Sequence, residues 1–213
     1  MTDTASTSAT TTVPAEEVTA PPAPAWARTV TRGIDPANVI VVCLVLVGGL
    51  RHGLAGVGWA LFATCFAGVL PMLFIKLGMR SGRFGDRYVG DRAKRAQVIP
   101  VVMASVVVGL VLMALFGAPR ELTAMIVAML ATLVPILVIT SLLKWKVSIH
   151  TAVSGGAVAM LAVALGVWWL LGCAVVALVG CARVAVRDHT AAQTVIGAVV
   201  GAATAGAVFA LVR

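Results

Sequence analysis

Apolar residues in this chain run in blocks instead of alternating with polar ones, and short polar segments separate the blocks. The blocks cover about 37–51, 55–76, 98–117, 122–143, 151–167, 170–184 and 190–212. A helix that crosses a bilayer needs ~20 mostly apolar residues, and the longer blocks supply them. The interruptions are Arg51-His52-Gly53, a basic stretch from Met79 to Gln97, Gly117-Ala118-Pro119-Arg120, Lys144-Trp145-Lys146, and Arg183 to His189. From His150 to Ala182 the sequence stays apolar for too long to form one helix at ~1.5 Å rise per residue. Gly166 and the Trp168-Trp169 pair mark a turning point there, because Trp favours the membrane interface. The pattern predicts an all-α, polytopic transmembrane domain over residues 34–213.

Composition narrows the class further. The chain has 213 residues, 61% hydrophobic and 11% charged. Soluble domains carry ~25% charged residues, so a soluble fold would have no way to cover this much apolar surface. Residues 1–33 differ from the rest: they are rich in Thr, Ala, Pro and Ser, with Glu16 and Glu17 the main charges, and are expected to form a disordered tail. No basic start followed by an apolar stretch marks a secretory signal there. Cys43, Cys65, Cys173 and Cys181 lie inside apolar blocks without Cys-x-x-Cys spacing, and are expected to be small packing residues.

The net charge of +8 would suggest nucleic acid in a soluble protein. Here the basic residues sit between apolar blocks, where topology and anionic headgroups account for them. Counting blocks places three polar segments on one side: the basic loop, Lys144–His150 and Arg183–His189. With them fall Arg28, Arg32, Lys76, Arg80, Arg83, Arg87, Arg92, Lys94, Arg95, Lys144, Lys146, Arg183 and Arg187. Only Arg51, Arg120 and Arg213 of the 16 Lys and Arg residues fall on the other side. The positive-inside rule therefore predicts that the N-terminus and the polar cluster face the cytoplasm of a multi-pass cell-membrane protein.

That cluster gathers Arg92, Lys94 and Arg95, then Ser148 and His150, then Arg183, His189 and Gln193. Two histidines among arginines suit a phosphate better than a metal, since cations repel a metal and no carboxylate or thiol completes a shell. Guanidinium groups fork onto phosphoryl oxygens, while one imidazole attacks phosphorus and the other protonates a leaving alkoxide. No cofactor is expected. The expected partners are a lipid phosphate and membrane lipids, not nucleic acid, and oligomeric state stays open. Each residue also has a plainer reading: His189 and His150 as helix-start residues, and Arg92, Lys94 and Arg95 as charges that set topology. Trp145 reads as an interface anchor and His52 as a headgroup contact.

The segment Ala182-Arg183-Val-Ala-Val-Arg-Asp-His189-Thr-Ala-Ala-Gln193 resembles the third signature of the type 2 phosphatidic acid phosphatases, the lipid phosphatase and haloperoxidase superfamily. That signature is Ser-Arg, five residues, His, three residues, Asp. Val147-Ser148-Ile149-His150-Thr151 is similar to the family's Pro-Ser-Gly-His. Tyr88-Val-Gly-Asp-Arg-Ala-Lys-Arg95-Ala96 resembles its Lys, six residues, Arg-Pro. Motif order and an even number of spans between motifs are similar to the family's six-helix core. The resemblance, to a divergent bacterial member, implies a bundle of six core helices, two of them short. It implies a hydrolase that removes phosphate from a phosphatidate-like or polyprenyl-phosphate-like lipid, as monoester or diphosphate, without metal. It further implies His189 as the nucleophile of a phosphohistidine intermediate, His150 as general acid, and Arg95, Arg183 and Ser148 holding the phosphate, with Arg92 or Lys94 in place of the missing Lys.

Gln193 stands where the family has Asp. An amide oxygen fixes a histidine tautomer but does not offset imidazolium charge, a loss of up to ~10⁴ in turnover by comparison with serine proteases. The alternative reading is therefore an impaired homologue that binds anionic lipid or lipid phosphate without hydrolysis. A transporter fits less well, because the acidic residues within spans that proton coupling uses are missing.

Overall fold

A computed structural model describes residues 22–82 and 92–213, with the side chains of 92–99 outside the description. Among the described residues there are eight α-helices and no strand. They are α1 (Ala25–Gly33), α2 (Pro36–Thr64), α3 (Leu70–Arg80), α4 (Arg92–Leu115), α5 (Arg120–Leu142), α6 (Ile149–Leu165), α7 (Cys173–Ala185) and α8 (Ala191–Val212). The chain is an all-α membrane bundle, and among the described residues four stretches are both long and apolar enough to cross a bilayer.

α2 is two arms. At Gly53 the backbone takes φ 61° and ψ −148°, a conformation that favours glycine and breaks the helix. A Cβ built on Gly48 or on Gly56 would strike the backbone of the other, although eight residues of straight helix would hold them ~12 Å apart. The arms 36–52 and 54–64 therefore fold back on each other, as the Arg51-His52-Gly53 interruption predicts. The second arm continues through a π-helical turn, Cys65–Val69, into α3. The hydroxyl of Ser105 on α4 donates to the carbonyl of Phe66 within that turn at 2.6 Å.

Among the described residues seven helical runs follow the seven apolar blocks, where the resemblance implies six core helices. The break after α6 falls at Gly166, where φ is 113°, and a 3₁₀ turn Val167–Gly172 leads into α7. Trp168 there is 81% exposed, as an interface anchor would be. The expected disordered tail is corrected in part. Residues 1–21 lie outside the described residues, but 25–33 form α1. Its apolar side buries Ala27 completely, while Arg28 and Arg32 stay exposed. Amphipathic spacing, hidden in a stretch of mixed composition, stabilises this helix by packing on α7.

α6 and α8 run parallel in the closest contact of the fold. A Cβ on Gly201 would fall inside the Ala152 carbonyl, and one on Gly197 would sit 2.6 Å from the Ser148 carbonyl. Lipid gives helices no hydrophobic reason to associate, so small residues that let backbones touch supply the attraction.

At the end of the bundle away from the polar cluster, Glu121 accepts from Arg51 Nη2 at 3.0 Å and pairs with His52 Nε2 at 2.7 Å. His52 is thus a partner of Glu121 rather than the headgroup contact expected. The sequence reading passed over Glu121 because its partners lie about 70 residues away. Arg120 donates to the Val212 carbonyl and Arg213 to the Val163 carbonyl at the same end.

Candidate functional site

The opposite end is built from two helix starts. Ser148 is the N-cap of α6, its hydroxyl accepting from the Thr151 amide, and Thr190 is the N-cap of α8, accepting from the Gln193 amide at 3.3 Å. The Ser148 amide donates to the Gln193 carbonyl at 3.3 Å, which ties one start to the other. His150 and His189 are held on these two starts, 39 positions apart in sequence but at one end of the bundle. Two helix N-termini side by side present partial positive charge, which favours an anion.

His189 is held from below. Gln193 Oε1 lies 3.3 Å from His189 Nδ1 and also accepts from the Thr190 amide at 3.1 Å, closing a capping box. An amide oxygen only accepts, so the ring donates from Nδ1 and keeps the Nε2 lone pair free. Partial burial pushes the His189 pKa below its ordinary value. Lys146 and Arg183 push the same way, against the Gln193 hydrogen bond and Asp188. The ring is therefore neutral near pH 7, with its lone pair available.

Arg183 sits in the last turn of α7, 9% exposed, where its charge also suits the helix C-terminus. Its Nη2 pairs with Asp188 Oδ2 at 2.8 Å, and its buried Nε has no partner among the described residues. The loop between α7 and α8 is pinned from outside by Lys146, whose Nζ donates to the Asp188 carbonyl at 2.8 Å. Within that loop Arg187 has φ 61°, a left-handed conformation uncommon for a side chain of its size.

The expected residues are thus brought together with one group outside the description. His150, His189, Gln193, Ser148 and Arg183 share one end. Ser148 is fully buried, so its hydroxyl serves the helix cap. The side chains of Arg92, Lys94 and Arg95 lie outside the described residues. His150 feels the positive charges of Arg183 and His189 and the negative charges of Asp35 and Asp188. Sequence reasoning missed Asp35, which reads simply as the N-cap of α2, its Oδ1 accepting from the Ala37 amide at 3.0 Å. It also treated Lys146 as a charge for topology alone. Asp35 lies far from both histidines along the chain, and Lys146, although near His150, acts on His189 through the distant loop at Asp188.

Chemically, the arrangement offers a neutral imidazole with a free nitrogen, a second imidazole, cations from two loops and two helix N-termini. That set can hold an anion and donate a lone pair to it. No family model, curated protein or solved structure matches the chain.

Proposed function

We propose that this protein is an integral membrane phosphatase acting on a lipid-linked phosphate, with the site facing the cytoplasm. The observation that carries the reading is the convergence of His150 and His189 on adjoining helix starts, both within the field of Arg183. His189 Nε2 attacks phosphorus, and the bond from phosphorus to the ester oxygen breaks. His150, whose pKa is lowered by burial and by Arg183, gives its proton to the departing alkoxide in the minor, protonated form. Water then attacks the phosphohistidine, its proton passing to neutral His150, and phosphate leaves as His189 recovers its lone pair. Arg183 and the helix N-termini offset the charge on the phosphoryl oxygens throughout. The substrate is a phosphatidate-like or polyprenyl-phosphate-like monoester or diphosphate, since the site lies at headgroup depth. The type 2 phosphatidic acid phosphatase resemblance supports this reading, and so does the positive charge on this side.

The test is phosphate release from a panel of lipid phosphates by wild type, His189→Ala and Gln193→Asp. His189→Ala is expected to abolish release, and Gln193→Asp to preserve or raise it. Equal turnover by wild type and His189→Ala overturns the proposed nucleophile. A second reading, binding without hydrolysis, is favoured by the Gln193 amide and by Asp188 occupying Arg183. Lipid phosphate bound but never cleaved selects it.

A further inference from the structure

Between α7 and α8, over a floor of α6, runs a groove of about 820 Å³. Gly155, Ala177, Gly180, Ala198 and Ala202 are among the small residues that leave it open, and Val184 flanks it near the polar end. The two hydroxyl residues at that end are satisfied elsewhere: Thr151 donates to the Ser148 carbonyl at 3.1 Å and Thr194 to the Ala191 carbonyl at 2.8 Å. Among the described residues the groove therefore offers a polar guest only the weak thiol donors of Cys173 and Cys181.

Its ends are unlike. One reaches Ala185 and Ala191, which bracket the loop carrying Arg187, Asp188 and His189, with Arg183 one turn away. The other reaches Leu170 and Cys173 beside the 3₁₀ turn. Along α7, from Cys173 to Ala185, the length is ~18 Å at the usual helical rise. One leaflet of a bilayer has ~15 Å of hydrocarbon, half the usual ~30 Å core. A volume of this size lies within the ~300–1,000 Å³ of ligand sites.

We infer that this groove seats one hydrocarbon chain of the substrate lipid, with the anionic headgroup at His189, Arg183 and Lys146. This rests on the reading of the polar end as a lipid-phosphate site. The charge at one end and the leaflet-deep apolar run from it match the two parts of such a molecule. A second copy of the chain would find no use for the cationic end. The seat makes chain length a determinant of affinity: substrates with long chains bind through it and short soluble ones bypass it.

Two measurements test the seat. In detergent, a long-chain alkyl phosphate carrying a diazirine along its chain is photolysed on the full-length protein, and the adducts are mapped. Adducts concentrated on α7 and α8 groove residues, and reduced in Ala177→Trp, are expected. Adducts spread evenly over all lipid-facing helices, or unchanged in Ala177→Trp, overturn the seat, as does photocrosslinking that yields joined copies of the chain. This readout needs no hydrolysis, so an inactive wild type would sink the phosphatase reading and leave the seat standing. For an active protein, Ala177→Trp should raise KM for the long-chain substrate about tenfold, equivalent to roughly two buried methylenes, and leave a short-chain phosphate unchanged. An equal change for both substrates overturns the seat. Val176→Phe gives the same comparison should Ala177→Trp not fold.

Discussion

At His189 a single amide decides which ring nitrogen is free. Gln193 accepts from Nδ1, and the charge beside the ring comes from Lys146 and Arg183 without a carboxylate on Nδ1 to answer it. Gln193→Glu keeps the length and the capping box while adding that carboxylate, so turnover should rise, by up to ~10⁴ on the serine-protease precedent. Phosphate-release rates check it. The lowered pKa also sets a pH dependence. The nucleophile is the neutral His189 ring and the acid is protonated His150, whose pKa burial and Arg183 also lower, so kcat/KM should be bell-shaped, with both limbs below the ordinary histidine value of ~6.5. Lys146→Ala removes one of the charges that lower the pKa, and the acid limb of the profile should move to higher pH. Linkage has the same sign. A depressed histidine pKa means that the stability present above ~6.5 is lost as pH falls from there towards the folded-state pKa.

The site's geometry is a property of α6 and α8 as a pair. Their backbones touch at Gly201 and Ala152, with His150 on the first turn of α6 and His189 just before the N-cap of α8. Gly201→Ala forces the helices apart and should cost about 1–3 kcal/mol, with activity falling alongside. Gly58, in the second arm of α2, has nothing within 4 Å of an added Cβ. Gly58→Ala should instead gain about 0.5–1 kcal/mol from backbone entropy alone. Thermal unfolding in detergent separates the two signs. The glycine spacing in α8 is visible in the sequence as a sign of close packing. Which helix it meets is not, because Gly155, Gly156 and the α2 glycines advertise the same thing.

Across the whole molecule the two ends have different tasks. One carries His150, His189, Arg183, Lys146 and Arg187. The other is fastened by Glu121 to Arg51 and His52, by Arg120 to Val212 and by Arg213 to Val163. In a cysteine-free background, Lys146→Cys and Arg187→Cys should react with an impermeant maleimide only from the cytoplasmic side. Arg51→Cys should react only from the other. The reverse pattern would invert the orientation proposed from charge.

The sequence by itself determined the helical runs, their limits to within a few residues in most cases, and the placement of His150 and His189 at one end of the bundle. Block length, Gly53 and Gly166 are local properties, and parity follows from counting. The amphipathic α1 was also written locally, yet its composition reads as tail. Tertiary structure alone decided that Glu121 takes His52, that Asp188 takes Arg183, that Lys146 closes the loop, and that a groove opens below His189. Each of these depends on which faces of distant helices meet, and in lipid that is settled by backbone contact at small residues, whose sequence signal names no partner.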